Sequence, residues 1–178
     1  MKTLIIGLGN PILTDDGVGV KVAQALACAF PAHTFPEGAT SASVDQKFVA
    51  PSGKVVPQVT ITEASVGGLR LMEIMVGYDR AILIDAITHG DGPPGTIRRM
   101  TLAELDAISP TQHTASAHDT SLSTALAMGR RMGLALPTDL TLFAVKVINV
   151  IDFADTPTPA VAAAIPRVVE AVIRELAV

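Results

Sequence analysis

Carboxylates stand where two apolar runs of this chain end. The first run, Thr3–Ile6, opens into G-L-G-N-P-I-L-T-D-D-G-V-G, whose turn delivers Asp15 and Asp16. The second, A-I-L-I-D-A-I, carries Asp85 at the end of its strand-like stretch. Buried parallel strands present functional groups at their carboxyl ends, so Asn10, Asp15, Asp16 and Asp85 are expected to converge on one edge of a sheet. His118, in S-A-H-D-T-S-L, precedes a predicted helix start that such folds commonly place on the same edge. Asp16, Asp85 and His118 would form an O, O, N donor set. That set suits a borderline divalent ion such as Ni²⁺ or Zn²⁺, with positions left open for water or a second protein. Each residue also has an ordinary structural use. Asp16 stands where a helix cap would, Asp85 could bind loop amides, and His89 and His113 occupy loops as polar as that of His118. Residue chemistry alone therefore does not choose among the three histidines. An acid closing so apolar a strand is costly to bury, which favours a site over a loop contact.

The elements that must position these groups follow from periodicity and turn chemistry. Asp16–Phe30 predicts a helix burying Val18, Val22, Ala25, Leu26 and Ala29, with Asp15 or Asp16 at its cap. Cys28, the single cysteine, is expected to be a small buried residue on that helix, and its solitude excludes a disulfide or a cysteine-based zinc cluster. Residues 31–43 are rich in small and turn-forming types. The stretch 47–62 predicts a hairpin, with Val59 and Ile61 facing one way and Pro57 confining its strand to an edge. Val66–Met75 predicts a helix carrying Leu69, Met72 and Met75, with Gly77 as terminator. After Ala81–Asp85 and a loop over Gly90–Gly95, Thr96–Met100 predicts a short strand, and Thr101 with Glu104 has capping-box spacing for a helix to Ala107. Ser109–His118 reads as a polar loop. A helix capped by Asp119 or Thr120 is expected to reach Met132, burying Leu122, Leu126 and either Ala125 or Met128, and to stop at Gly133. Leu140–Ile148 is the third long strand. Thr158-Pro159 opens a last helix to Leu176, in which Pro166 predicts a kink or a break of one turn. The alternation argues an α/β three-layer sandwich with a mostly parallel sheet and helices on both faces.

Composition narrows the function classes. A chain of 178 residues fits one domain, here 1–178. A formal charge of -4, with 17% charged residues, gives no electrostatic reason to bind nucleic acid. No run approaches the roughly 18 apolar residues of a membrane span, and the first residues have too short an apolar run for a signal peptide, so no membrane insertion and a cytoplasmic location are expected. Aromatics make up only 3%, so the core must be aliphatic.

The glycine turn invites two other assignments. A nucleotide-binding oxidoreductase would want G-x-G-x-x-G, yet Ile12 stands where the third glycine should be and two acids oppose a pyrophosphate. G-L-G-N-P in isolation resembles peptidyl-tRNA hydrolase, but the sequence beyond it departs from that family and the net charge suits tRNA poorly.

Taken together, G-L-G-N-P-I-L-T-D-D-G-V-G, A-I-L-I-D-A-I and S-A-H-D-T-S-L resemble the nickel-iron hydrogenase maturation proteases, from Met1 to about Leu176. The resemblance implies a twisted five-stranded sheet flanked by helices, and a monomer. It implies an endopeptidase, classed in its family as aspartic-type, that removes the C-terminal extension of a nickel-iron hydrogenase large-subunit precursor after nickel insertion. It selects Asp16, Asp85 and His118 as metal ligands and Asp16 with Asp85 as the catalytic acids. The partner would be the nickel-loaded precursor, carrying the nickel itself, with zinc or cadmium as possible surrogates. A non-catalytic metal-sensing assembly factor would use the same ligands. The chain departs from the family where Glu63-Ala64-Ser65-Val66 replaces an acid, two glycines and a threonine, predicting a differently shaped loop, and relative to compact members it is expected to carry an inserted hairpin or loop near 33–57.

Overall fold

The computed structural model describes residues 1–29, 46–49, 55–108 and 121–177. Its elements are β1 (Thr3–Leu8), α1 (Val18–Ala29), β2 (Gln46–Val49), β3 (Val55–Ala64), α2 (Gly68–Ile74), β4 (Arg80–Ile87), β5 (Ile97–Thr101), α3 (Leu102–Ile108), α4 (Leu122–Arg131), β6 (Asp139–Lys146), α5 (Pro159–Ala162) and α6 (Ile165–Leu176). They build one sheet of order β2-β3-β1-β4-β6-β5. The strands β3, β1, β4 and β6 run parallel, while β5 pairs antiparallel with β6. These are the five expected strands. The sixth, β2, pairs antiparallel with β3 and comes from the anticipated hairpin.

Alternation explains the three layers. Ile5, Val59, Ile82, Ile84, Phe143 and Val145 point to the face covered by α1, α5 and α6. Their neighbours Leu4, Ile6, Ala81, Leu83, Leu142 and Ala144 point to the face packed by α2 and α4, with Leu102 and Leu105 of α3 against it. Strands buried on both sides must read as continuous apolar runs, which is how β1, β4 and β6 read.

Several local expectations are corrected. Neither aspartate caps α1: Val18 N–H donates to the Asp15 carbonyl, and both carboxylates turn to other partners. Cys28 and Ala29, in the last turn of α1, are exposed rather than buried. β3 is not an edge strand. Pro57 is tolerated because pairing with β1 begins only at Val59, and Gln58, with φ 54°, breaks the register toward β2. Ser121 caps α4, accepting from Thr124 N–H at 3.2 Å, and Ala125 rather than Met128 is buried. Asp119, Thr120 and the polar loop 109–118 lie outside the described residues. Thr101 and Glu104 do form the reciprocal capping box, at 2.7 and 3.3 Å. The last helix is broken as Pro166 foretold, into α5 and α6, with Pro166 in the first turn of α6. Among the described residues no helix is long and apolar enough to cross a membrane.

Candidate active site

The connection leaving β1 runs by α1 toward β3, whereas the one leaving β4 runs the other way, to β5, so the winding reverses between the neighbours β1 and β4. Such a divergence opens a crevice at the carboxyl ends of the strands. Here a cleft of about 420 Å³ is lined by Gly9, Asn10 and Asp16 after β1, by Ser65, Val66, Gly67 and Gly68 after β3, and by Asp85 of β4. Its floor is aliphatic, with Leu8, Leu71, Leu83, Leu105, Leu122 and Leu142.

The turn after β1 is shaped for Asp16. A Cβ on Gly9, whose φ is +123°, would stand 1.9 Å from the Asp16 carbonyl oxygen, so only glycine fits. Asn10 N–H donates to Asp16 Oδ2 at 2.7 Å, spending on this side chain a donor that a phosphate cradle would need. Ser65 Oγ donates to the Gly9 carbonyl at 2.7 Å, and Gly9 N–H to the Ala64 carbonyl at 3.2 Å, tying the turn to the loop after β3. Ser65 escaped the sequence reading. Two glycines follow the replaced segment directly: Gly67 precedes α2, and Gly68 begins it with φ +51°.

Asp85 is partly buried, and Ala86 N–H donates to its Oδ1 at 2.8 Å. Burial pushes its carboxyl up to about 7, the Ala86 hydrogen bond opposes this, and the charge of Asp16 adds to it. Each carboxylate thus has one oxygen on a backbone N–H, with Asp16 Oδ1 and Asp85 Oδ2 free of other donors among the described residues. Of the acids expected to converge, Asp16 and Asp85 do so. Asp15 does not join them: it is fully buried, and its carboxylate accepts from Thr158 N–H at 2.7 Å, Thr158 Oγ1 at 3.1 Å and Asn149 N–H at 3.2 Å. His118 and His113 lie outside the described residues. His89 is exposed beside Thr88. No group of three His, Cys, Asp or Glu side chains arranged to hold a metal occurs among the described residues.

Fold and cleft define an α/β protein of doubly covered sheet with a carboxylate pair at the switch in strand connections. The family model for hydrogenase maturation proteases matches residues 46–175, and the chain belongs to that family. It is 28% identical over 145 residues to the hydrogenase 2 maturation protease of Escherichia coli K12, covering 82% of this chain and 73% of that protein. It is 26% identical over 175 residues to the hydrogenase expression/formation protein HupD of Rhizobium leguminosarum bv. viciae, covering 98% and 74%. The solved hydrogenase maturating endopeptidase HybD from E. coli superposes with a TM-score of 0.70 at 26% identity, covering 99% of this chain and 93% of that one.

Proposed function

We propose that this chain is an endopeptidase that removes the C-terminal extension of a nickel-iron hydrogenase large-subunit precursor once that precursor holds nickel. Family membership supports the reaction class, and the observation that carries the site assignment is the pair Asp16 and Asp85 facing one cleft from neighbouring strands. The donors suit a divalent ion. Two carboxylate oxygens are free of donors among the described residues, and burial and mutual repulsion make the Asp85 anion costly until a cation arrives. Asp16, Asp85 and His118 are the proposed ligands for the nickel that the precursor brings, which as a Lewis acid would polarise the scissile carbonyl. The two acids are also the proposed acid–base pair. The carboxylate not engaged by the metal, Asp16 or Asp85, would accept a proton from the attacking water and return it to the leaving amine. The chain is proposed to act as a cytoplasmic monomer.

Mass spectrometry of purified precursor, nickel-loaded or nickel-free, incubated with this chain tests the reading. The expected result is loss of the extension from the loaded form alone, and no loss with Asp85→Asn or His118→Ala. An intact loaded precursor would overturn the endopeptidase assignment. Equal cleavage of both forms removes nickel as the recognition signal, and near-normal cleavage by either variant removes that residue from the site.

A further inference from the structure

The loop that carries Asp16 is laced through residues 12–15 to a second loop, residues 147–155. Leu13 bridges Phe153 in antiparallel fashion. Ala154 N–H donates to the Ile12 carbonyl at 3.1 Å, Thr14 N–H to the Asp152 carbonyl at 3.1 Å and Asp15 N–H to the Asn149 carbonyl at 2.9 Å. The Asn149 side chain folds back on Asp152, donating to its Oδ2 at 2.9 Å and accepting from its N–H at 3.2 Å. This scaffold, anchored beneath by buried Asp15, holds large apolar side chains in water: Ile12 is 55% exposed, Ile148 67%, Ile151 79% and Phe153 80%. An ordered loop that offers isoleucines and a phenylalanine to solvent has lost its conformational freedom before any partner arrives, so burial of those side chains converts efficiently into affinity.

We propose that Ile12, Ile148, Ile151 and Phe153 form the docking surface for the body of the protein substrate. The inference rests on the endopeptidase reading above. Ile12 lies in the same turn as Asn10 and Asp16, which line the cleft, and residues 153 and 154 pair with that turn, so the apolar surface adjoins the place where the scissile segment would be held. Exposed Asp152 and Asp155 border it, so the complementary face on the precursor is apolar with a basic margin. Affinity for the substrate thus comes from this surface, while the carboxylate pair reads the metal.

The test is the double variant I151S/F153S in the full chain, whose replaced side chains are too exposed to hold the fold. Its dissociation constant for nickel-loaded precursor and its KM are expected to rise at least about tenfold, with kcat at saturation unchanged. Wild-type affinity and KM in the variant overturn the surface and leave the catalytic assignment standing. A wild-type chain that binds the precursor through these residues without cleaving it keeps the surface and defeats the endopeptidase reading; one that does not bind the precursor defeats both. A wild-type dimer in sedimentation that becomes monomeric in I151S/F153S assigns the surface to a second copy and overturns the proposal.

Discussion

Asp15 and Asp16 are adjacent acids with opposite uses, and their surroundings decide which is which. Asp15 is fully buried and accepts three hydrogen bonds that hold residues 149 and 158 in place. Truncating it would leave those donors without an acceptor in a dry site. Asp15→Ala is therefore expected to lower stability by about 2–4 kcal/mol in urea titration. Asp16 faces the cleft with a single hydrogen bond among the described residues, from Asn10. Asp16→Asn is expected to stay within about 1 kcal/mol of wild type, because the amide oxygen can still accept that bond, while processing of the precursor is lost. A stability loss with Asp16→Asn matching that of Asp15→Ala would show Asp16 to be scaffold rather than site.

At the scale of elements, α1 approaches β1 and β4 closely just before the strand ends that lead to Asp16 and Asp85. A Cβ on Gly19 of α1 would stand 2.3 Å from both the Leu8 and the Ile84 carbonyl oxygens, and backbone cannot swing aside as a side chain can. Gly19→Ala is expected to push α1 off the sheet, costing on the order of 3 kcal/mol and cutting cleavage more than the milder Asp16→Asn perturbs the fold; thermal melts and a single-turnover assay read the two effects. The sequence announced this packing only as one more glycine of the opening motif. Apolar runs ending on acids were enough to place β1, β4 and the convergence of Asp16 with Asp85, because strand burial and strand-end chemistry are both local signals. Cap assignments failed where tertiary partners outbid the helix: Asp15 is drawn to Thr158, and Thr158 in turn makes no cap on α5. Ser65 was illegible for the same reason, since its partner is the Gly9 carbonyl, 56 residues away. The choice among histidines was never available from spacing and came only with the family resemblance.

Across the whole molecule, β4 joins two ionic centres of opposite character. At its amino end, Arg80 is buried and pairs with Glu175 at 2.6 Å and Asp139 at 2.9 Å, and Glu175 also binds Arg99 at 2.8 Å. Hydrogen bonding to Arg99 leads in holding the Glu175 carboxyl below its usual range. At the other end, burial holds Asp85 up at about 7. The two act on stability with opposite signs. Glu175 binds fewer protons folded than unfolded, so its contribution is present above the unfolded value of about 4.5 and is lost as pH falls through the folded one. Asp85 binds more protons folded than unfolded between 3.8 and about 7, so the chain loses stability as pH rises through that window, by at most about 4 kcal/mol. In metal-free protein, Asp85→Asn is expected to match wild type near pH 4 and to exceed it increasingly toward pH 8, whereas Glu175→Gln should fall furthest short at neutral pH and approach wild type on acidification. Five residues of strand separate Arg80 from Asp85, roughly 17 Å. Groups so far apart should not couple, and the double variant is expected to equal the sum of the single effects within about 0.5 kcal/mol at each pH in denaturant titrations. A larger coupling would mean that β4 transmits the charge state of the cleft to the far edge of the sheet, and that the carboxylate pair cannot be treated as an independent site.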